Sequence, residues 1–471
     1  MPSPTAEQTD IIEAAIARSE NLQVRALAGT GKTSTIEMVE RAYPKKPMLY
    51  IVFNKRNAQE AEKRLTGATS VRTWNGLGHR IWASACAKNL KLNPKKVRDL
   101  YKEIIEGVKR GEQQVLWDVY WEVVSGVGRA KAYGYVPDGK YPTAKPLCTR
   151  NEFHAQLDED PDDLVADLID EVLHRSIRAA YDGLIDFDDQ VYMPAIFGGT
   201  YPRFPFVAVD EFQDANPCNH AMLKKLVKDR FMGVGDPWQS IYGFRGAMQG
   251  GMAHAKTTFA CKELDLSVSF RCPQAIVENA QWRVPHFKWI KEGGYVERLS
   301  SLCASDIDDG ATILCRNNAP LFTTALRLLA LGRGVNVSGS ELGPKIVGIM
   351  KKFGDETLSR HGVLAAINEW EAIKTAKKSK TAMDMADCMR VFAEHGTDLG
   401  QAIRYAEHLF NQSGTIRLMT GHKSKGLEFD TVYILDSWLL SEEEQDLNLR
   451  YVMQTRSKDK LYEIDSVNIN W

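Results

Sequence analysis

Residues 26–33, Ala-Leu-Ala-Gly-Thr-Gly-Lys-Thr, constrain this chain more than any other feature. A short apolar run at 24–28 leads straight into them, and a helix-like stretch follows. That is the strand–loop–helix setting of a phosphate loop. The strict pattern opens on Gly where this chain has Ala26. The physics survives the change. Gly29 and Gly31 let the backbone curl so that its N–H groups face a polyphosphate. Lys32 can reach the β and γ phosphates, and Thr33 offers a hydroxyl to Mg2+. A chance Gly-rich turn is the bland alternative, and the flanking strand and helix speak against it.

A second signal lies at 206–214, Phe-Val-Ala-Val-Asp-Glu-Phe-Gln-Asp, an apolar strand ending in carboxylates. A buried strand of this kind delivers Asp210 to the sheet edge beside the phosphate loop. There it can hold Mg2+ directly or through water. Glu211 points elsewhere and can take a proton from the attacking water or orient it. Alone, such a stretch is often just an acidic loop that solvates a strand end. Paired with a phosphate loop, it reads as the other half of a nucleotide site.

The 471 residues suggest two to four domains at roughly 150 residues each. Apolar residues at 44% and charged residues at 26% allow a substantial packed core. The net charge of -1 does not advertise nucleic acid, so any such surface must be a local patch or channel. The eight cysteines include no CxxC pair and no zinc-like cluster, which fits a reducing interior. The first residues carry no basic-then-apolar leader, and no run approaches the roughly 20 apolar residues of a membrane span. The expectation is a soluble protein of the cytoplasm, nucleoid-associated or in a host cytoplasm if phage-encoded.

Helix and strand alternate over the first hundred residues. Residues 5–18 read as a helix with Ile11, Ile12, Ala15 and Ile16 on one face, and 48–53 as a buried parallel strand. From 81 to 178, helix-like stretches rich in Lys, Glu and Trp dominate. Strand-like runs return at 206–209 and 231–234, then at 312–315, 415–419 and 431–435, with a helical stretch at 344–411. The fold class expected is α/β, two lobes of RecA-like P-loop type, each with a mostly helical insertion. The boundaries drawn are 1–80 with 179–263 for the first lobe, interrupted by 81–178. The second lobe is 264–343 with 412–471, interrupted by 344–411.

A series of motifs in fixed order resembles the UvrD/Rep-type superfamily 1 DNA helicases, and among them the F-box helicase-like and phage branches. Gln8 matches an upstream glutamine that reads the adenine edge. Residues 28–35 match the phosphate loop, 52–55 and 73–76 two early DNA-contacting motifs, and 210–214 the acidic motif. Residues 235–247 match the long third motif, 266–273 the fourth, 420–429 the fifth and 451–456 the sixth. The third and fifth are long and specific, and the set spans almost the whole chain.

The resemblance implies roles. ATP and Mg2+ are the expected ligands, held by Gln8, Ala28, Gly29, Thr30, Gly31, Lys32, Thr33, Ser34, Phe270 and Glu428, with Thr33 and Asp210 on the metal. Gln239 would sense the γ-phosphate beside Lys32, Asp210 and Glu211. Arg271 and Arg456 would be arginine fingers, a device worth about 10³ to 10⁵ in rate. Phe270, where the family usually has Tyr, would stack on adenine, and Glu428 would hold the ribose. Phe53, Asn54, Trp74, Tyr242, Phe244 and His422 are the expected DNA contacts, since aromatic stacking at about 1–3 kcal/mol per base suits any sequence. For Phe53 the family's aromatic aligns one position earlier, on Val52.

Lys91, Lys95, Lys96 and Arg98, and Lys374, Lys377, Lys378 and Lys380, are candidate DNA paths, although charge runs on helices are usually solvated faces. Ser34 stands where many relatives have Arg. The second insertion is short, which leaves translocation more secure than unwinding. The chain ends soon after Arg456, so no nuclease-like domain is expected. The resulting expectation is an ATP-dependent 3′–5′ DNA helicase or translocase serving replication, recombination or repair. It would act as a monomer on single-stranded DNA or DNA with a 3′ single-stranded tail, with a single-strand-binding or replication/recombination protein as possible partner and no membrane. The rivals are a translocase that strips proteins without unwinding, an RNA-directed motor, and a catalytically dead binding module.

Overall fold

The computed structural model describes residues 3–17, 20–43, 47–138, 141–157, 160–243, 246–248, 250–339, 342–376, 381–465 and 467–468. They form two compact units. The first is Met1–Leu27 with Gly31–Leu266, and the second is Ser267–Trp471 together with the loop residues Ala28–Thr30.

The first unit is built on a parallel sheet of β1 (Asn21–Ala26), β2 (Met48–Val52), β3 (Thr69–Thr73), β4 (Phe204–Val209), β5 (Val227–Gly235) and β6 (Cys261–Leu266). The strand order is β3-β2-β4-β5-β1-β6. The continuous apolar runs of β2 and β4 have a direct cause, since both sheet faces are covered. Met48, Tyr50, Val52, Phe206 and Ala208 pack on one side with Ile11, Ile36 and Val39. Leu49, Ile51, Val207 and Val209 belong on the other side to a core that runs through Trp74, Leu77 and Tyr192 of the helices Trp74–Cys86 and Asp189–Phe197 and on to Ile169 and Val172 of the first insertion. The first insertion therefore has no core of its own. Its helices Lys96–Gly107, Tyr120–Tyr133 and Asp163–Tyr181 pack on one another and on the helices Asp189–Phe197 and Pro217–Leu226, and their apolar faces continue the core that begins at the sheet.

β6 runs through the 263/264 junction expected between the lobes. It pairs with β1 from Asn21↔Cys261 to Ala26↔Leu266 and so completes the first sheet. Pairing between segments more than two hundred residues apart leaves no local mark, so the strand was absent from the sequence reading.

The second unit repeats the plan with β7 (Tyr295–Leu299), β8 (Thr312–Cys315), β9 (Val335–Val337), β10 (Ile416–Thr420), β11 (Phe429–Leu435) and β12 (Ser457–Ile464). All pairs are parallel, in the order β7-β12-β11-β8-β10-β9. Between β9 and β10 lie the helices Leu342–Met350, Arg360–Ala376, Ala382–His395 and Leu399–Phe410. Ile346, Met389, Phe392 and Leu409 share one core with Ile313, Phe322 and Leu418 of the sheet layer.

Lys96 departs from the expected basic path. Its side chain is 0% exposed and paired with Asp189, so it cannot lie on a solvated or DNA-facing surface. Lys377, Lys378 and Lys380 lie outside the described residues. Among the described residues, no helix is long and apolar enough to cross a membrane.

A shared core makes a specific prediction. Phe392 packs between Phe322 and Phe410, at ring-centroid distances of 5.7 and 6.4 Å. Phe392→Ala should destabilise the whole second unit by about 3–5 kcal/mol. Denaturant unfolding should show one shifted transition; an early helical transition that leaves the sheet intact would mean separate cores.

Candidate nucleotide site and strand contacts

In the first unit the site gathers at the carboxyl ends of β1, β4 and β5. Gly29 and Gly31 adopt positive φ, +71° and +80°, which turns the chain sharply from β1 into the helix Lys32–Ala42. No side chain caps that helix start, so its first N–H groups are presented as an anion cradle. Thr33 is half-buried and Ser34 exposed. Thr35 Oγ1 donates to Gly31 O at 3.0 Å and accepts from Gln8 Nε2 at 3.1 Å, while Gln8 Oε1 accepts from Thr5 N at 3.0 Å. Gln8 is thus a buried strut between the first helix and the helix after the phosphate loop.

The acidic motif leaves β4 with Asp210 N donating to Ile51 O at 2.9 Å. Asp210 Oδ2 accepts from Tyr50 Oη at 2.8 Å, and Oδ1 accepts from Glu211 N at 2.9 Å. Burial pushes its pKa up to about 6, the charge of Glu211 adds to that, and Lys32 opposes it. Glu211 sits in the left-handed region, φ 48°, a strain of about 1–3 kcal/mol for a residue with a Cβ. Its carboxylate lies 3.6 Å from Lys32 Nζ.

From Glu211 a chain of side-chain bonds runs to the third motif. Gln213 Nε2 donates to Glu211 Oε2 at 2.7 Å, and Gln213 Oε1 accepts from Asp236 N at 2.9 Å. Gln239 Nε2 then donates to Asp236 Oδ2 at 2.6 Å. Gly235 makes the link possible, because a Cβ there would lie 2.3 Å from Gln213 Oε1. Asp236 is fully buried, and burial pushes it up to about 6 against the pull of Lys32. The structure thus joins Lys32, Asp210, Glu211 and Gln239 in one network. Gln213 and Asp236 are its members that sequence reading missed; both lie inside quoted motifs, but only the fold shows that they bridge them.

The expected strand contacts divide. Tyr242 is half-buried, and Phe244 lies outside the described residues. Asn54 is exposed, with its side-chain oxygen capping the helix Lys55–Glu62 through Asn57 N at 2.8 Å. Phe53 is partly buried against the core. Trp74 is a correction: at 2% exposure its ring is a core group packed with Leu77, Ile81 and Trp82, so no base can stack on it. Its neighbour Asn75 faces outward instead and donates Nδ2 to Phe187 O at 2.7 Å. Phe187, 52% exposed, was not anticipated, although a lone aromatic among Asp186, Asp188 and Asp189 was the available signal.

In the second unit the fourth, fifth and sixth motifs converge. Ser269 Oγ donates to Ala28 O and Phe270 N to Gly29 O, both at 2.9 Å, which ties the loop residues of this unit to the fourth motif. Phe270 is 47% exposed. Arg271 Nε donates to Glu428 Oε2 at 2.7 Å. Arg456 is almost fully buried, with Nε donating to Val452 O at 2.9 Å and Nη1 to Leu427 O at 3.2 Å. His422 is half-buried on the short helix Gly421–Ser424.

The raised acids predict a pH dependence. A carboxyl group that titrates near 6 folded and near 4 unfolded costs stability as pH rises through that window, and the full cost remains above it. Asp210→Asn keeps the Tyr50 partnership through the amide. It should raise first-unit stability at pH 7.5 by about 1–3 kcal/mol, with little gain at pH 4. Urea unfolding at the two pH values checks this; equal effects at both would show that charge burial is not the cause.

Comparison with known proteins agrees with this arrangement. Residues 5–260 match the UvrD/REP helicase N-terminal domain, and 415–462 match the UvrD-like helicase C-terminal domain. F-box DNA helicase protein 1 of Schizosaccharomyces pombe is 24% identical over 528 aligned residues, covering 98% of this chain and 57% of that protein. DNA helicase II of Escherichia coli is 26% identical over 343 residues, covering 64% and 45%, and F-box DNA helicase 1 of Gallus gallus 23% over 478, covering 92% and 45%. The chain spans about half the length of these relatives. With the N-terminal match alone covering more than half of its residues, this chain belongs to the UvrD/REP helicase family.

Proposed function

We propose that the chain is an ATP-driven DNA motor that hydrolyses ATP to ADP and phosphate and moves 3′ to 5′ along single-stranded DNA, unwinding duplexes ahead of it. The observation that carries this reading is the network from Lys32 through Glu211, Gln213 and Asp236 to Gln239, set beside an uncapped helix start. Relatives named as DNA helicases support DNA as the track.

The chemistry follows from exchange of partners. Lys32 rests against Glu211, 3.6 Å away. An incoming triphosphate takes the ammonium, and Glu211 is released to orient the attacking water or accept its proton. The residues present fit Mg2+: Thr33 and Asp210 offer hard oxygen donors, and the buried Asp210 lacks a full counter-charge. When bound, the ion would neutralise charge on the phosphate oxygens. Arg271 exchanges Glu428 for the transferred phosphoryl group, which frees Glu428 for the ribose. Arg456 supplies a second guanidinium, while Gln8 and Phe270 define the adenine side.

Tyr242 follows Gln239 by three residues, so a strand held there pulls on the same segment that senses the γ-phosphate. Asn54, Phe187, Phe53, Phe244 and His422 complete the contacts. A role in replication, recombination or repair, a monomeric state, and a single-strand-binding partner belong to the same reading. The second insertion is short, residues 344–411, and shares the core of its lobe. That observation favours displacement of bound proteins as a second activity.

Steady-state ATPase should rise at least tenfold with single-stranded DNA and less with matched RNA. Strand- and protein-displacement assays run side by side separate unwinding from stripping. Glu211→Gln should retain ATP binding and lower turnover by about 10²–10⁴-fold. Normal turnover in that variant would remove Glu211 from its assigned role.

A further inference from the structure

Four charged side chains are buried where the first insertion returns to the sheet. Lys96 Nζ donates to Asp189 Oδ2 at 2.6 Å and to Ser176 O at 2.7 Å. Lys131 Nζ donates to Asp186 Oδ2 at 2.6 Å and lies 2.8 Å from Asp189 Oδ1. The side chains of Lys96, Lys131 and Asp189 are 0% exposed, and that of Asp186 is 8% exposed. The two aspartates also bond each other's backbone reciprocally: Asp186 N donates to Asp189 Oδ2 and Asp189 N to Asp186 Oδ1, both at 2.8 Å. Two ammonium groups from two insertion helices thus clamp one short turn, 186–189.

The other side of the turn is held by the helix Trp74–Cys86. Asn75 Nδ2 donates to Phe187 O, and His79, one helical turn on, pairs its Nδ1 with Gln190 Nε2 at 3.1 Å. Between them Gly78 lets the backbones touch, since a Cβ there would lie 1.8 Å from Gln190 O. That helix begins in one of the segments expected to meet the strand. Its carboxamide at Asn75 and the exposed ring of Phe187 are held at a fixed separation by this turn.

A buried quartet is a poor way to gain stability, because desolvation offsets most of the attraction and apolar side chains of similar volume do as well. What short, directional bonds supply is a fixed position. We propose that Lys96, Lys131, Asp186 and Asp189 are positioning residues for strand binding, locking the 186–190 turn to the Trp74–Cys86 helix so that insertion and strand-contacting helix move as one body. This rests on the DNA-motor reading. The lysines act from inside the fold and touch no phosphate.

The test uses the full chain. The quadruple variant Lys96→Met, Lys131→Met, Asp186→Asn, Asp189→Asn removes the charges and keeps amide oxygens for the reciprocal backbone bonds. It should melt cooperatively and keep the ATPase rate measured without DNA. Its Kd for a fluorescein-labelled oligothymidylate should rise about tenfold, as read by anisotropy. The slope of log Kd against log salt should stay unchanged, because no phosphate contact is lost; a slope smaller by about 1 per lysine would mean direct contact and overturn the proposal. Gln190→Leu, which cuts only the His79 link, should weaken DNA binding in the same direction and carries the test if the quadruple variant does not fold. Unchanged affinity in a folded variant would reduce the quartet to a structural role. A wild-type chain that does not bind the oligonucleotide would instead overturn the motor reading, and this proposal with it.

Discussion

The ammonium group of Lys32 is what makes the rest of the first unit's site tenable. It faces the Glu211 carboxylate directly and is the opposing positive charge felt by both Asp210 and Asp236. One positive charge thus serves three acids that the fold holds at neighbouring strand ends. Two of those acids are buried, and each has its pKa raised to about 6 by that burial. The acids work against a bare polyphosphate even as the helix start and Lys32 attract it. A polyphosphate whose charge is partly neutralised by a cation would be met less unfavourably, which is the electrostatic reason for expecting a magnesium complex rather than free nucleotide.

The same imbalance explains why the network is stitched so tightly. Asp210 receives a tyrosine hydroxyl and a backbone N–H, and Asp236 receives a glutamine amide and a backbone N–H. Hydrogen bonds to the charged form pull each pKa down and offset part of the cost of burial. Glu211 contributes strain instead of burial, standing at a positive φ that its side chain disfavours. Two buried acids and one strained residue of the first unit thus stand together at the carboxyl ends of its strands. Stability is given up where ligand binding can restore it.

The sequence marks the motif segments far better than it marks which side chains within them are exposed. Period and composition suffice for β2, β4 and β8, because a strand buried on both faces is written as a near-continuous apolar run, and for the apolar greater part of β10 and β11. The phosphate loop and acidic motif are equally legible, since each needs particular atoms at particular spacings. Trp74 and Lys96 show the limit. Trp74 sits in a segment expected to contact the strand yet points into the core, while the outward-facing group is Asn75 beside it. Lys96 belongs to a basic run yet is the one member turned inward, because Asp189, ninety-three residues on, is folded against it. Gln213 and Asp236 fail to stand out for the same reason. Their importance is a distance between motifs, and a distance between motifs exists only after β4 and β5 have paired.

The two insertions carry this argument to the level of whole units. On sequence they look like modules dropped into loops, with helical periodicity and a change of composition at each end. Among the described residues neither has a separate core: Ile169 and Val172 of the first continue the core that starts at Leu49 and Val207, and Met389 and Phe392 of the second share the core of Ile313 and Leu418. A module with its own core can swing on its linkers at little cost, whereas a layer sharing a core must expose apolar surface to move. Regulation by a swinging insertion is therefore expensive for this chain. Motion within loops, which carry less of the shared core, costs less.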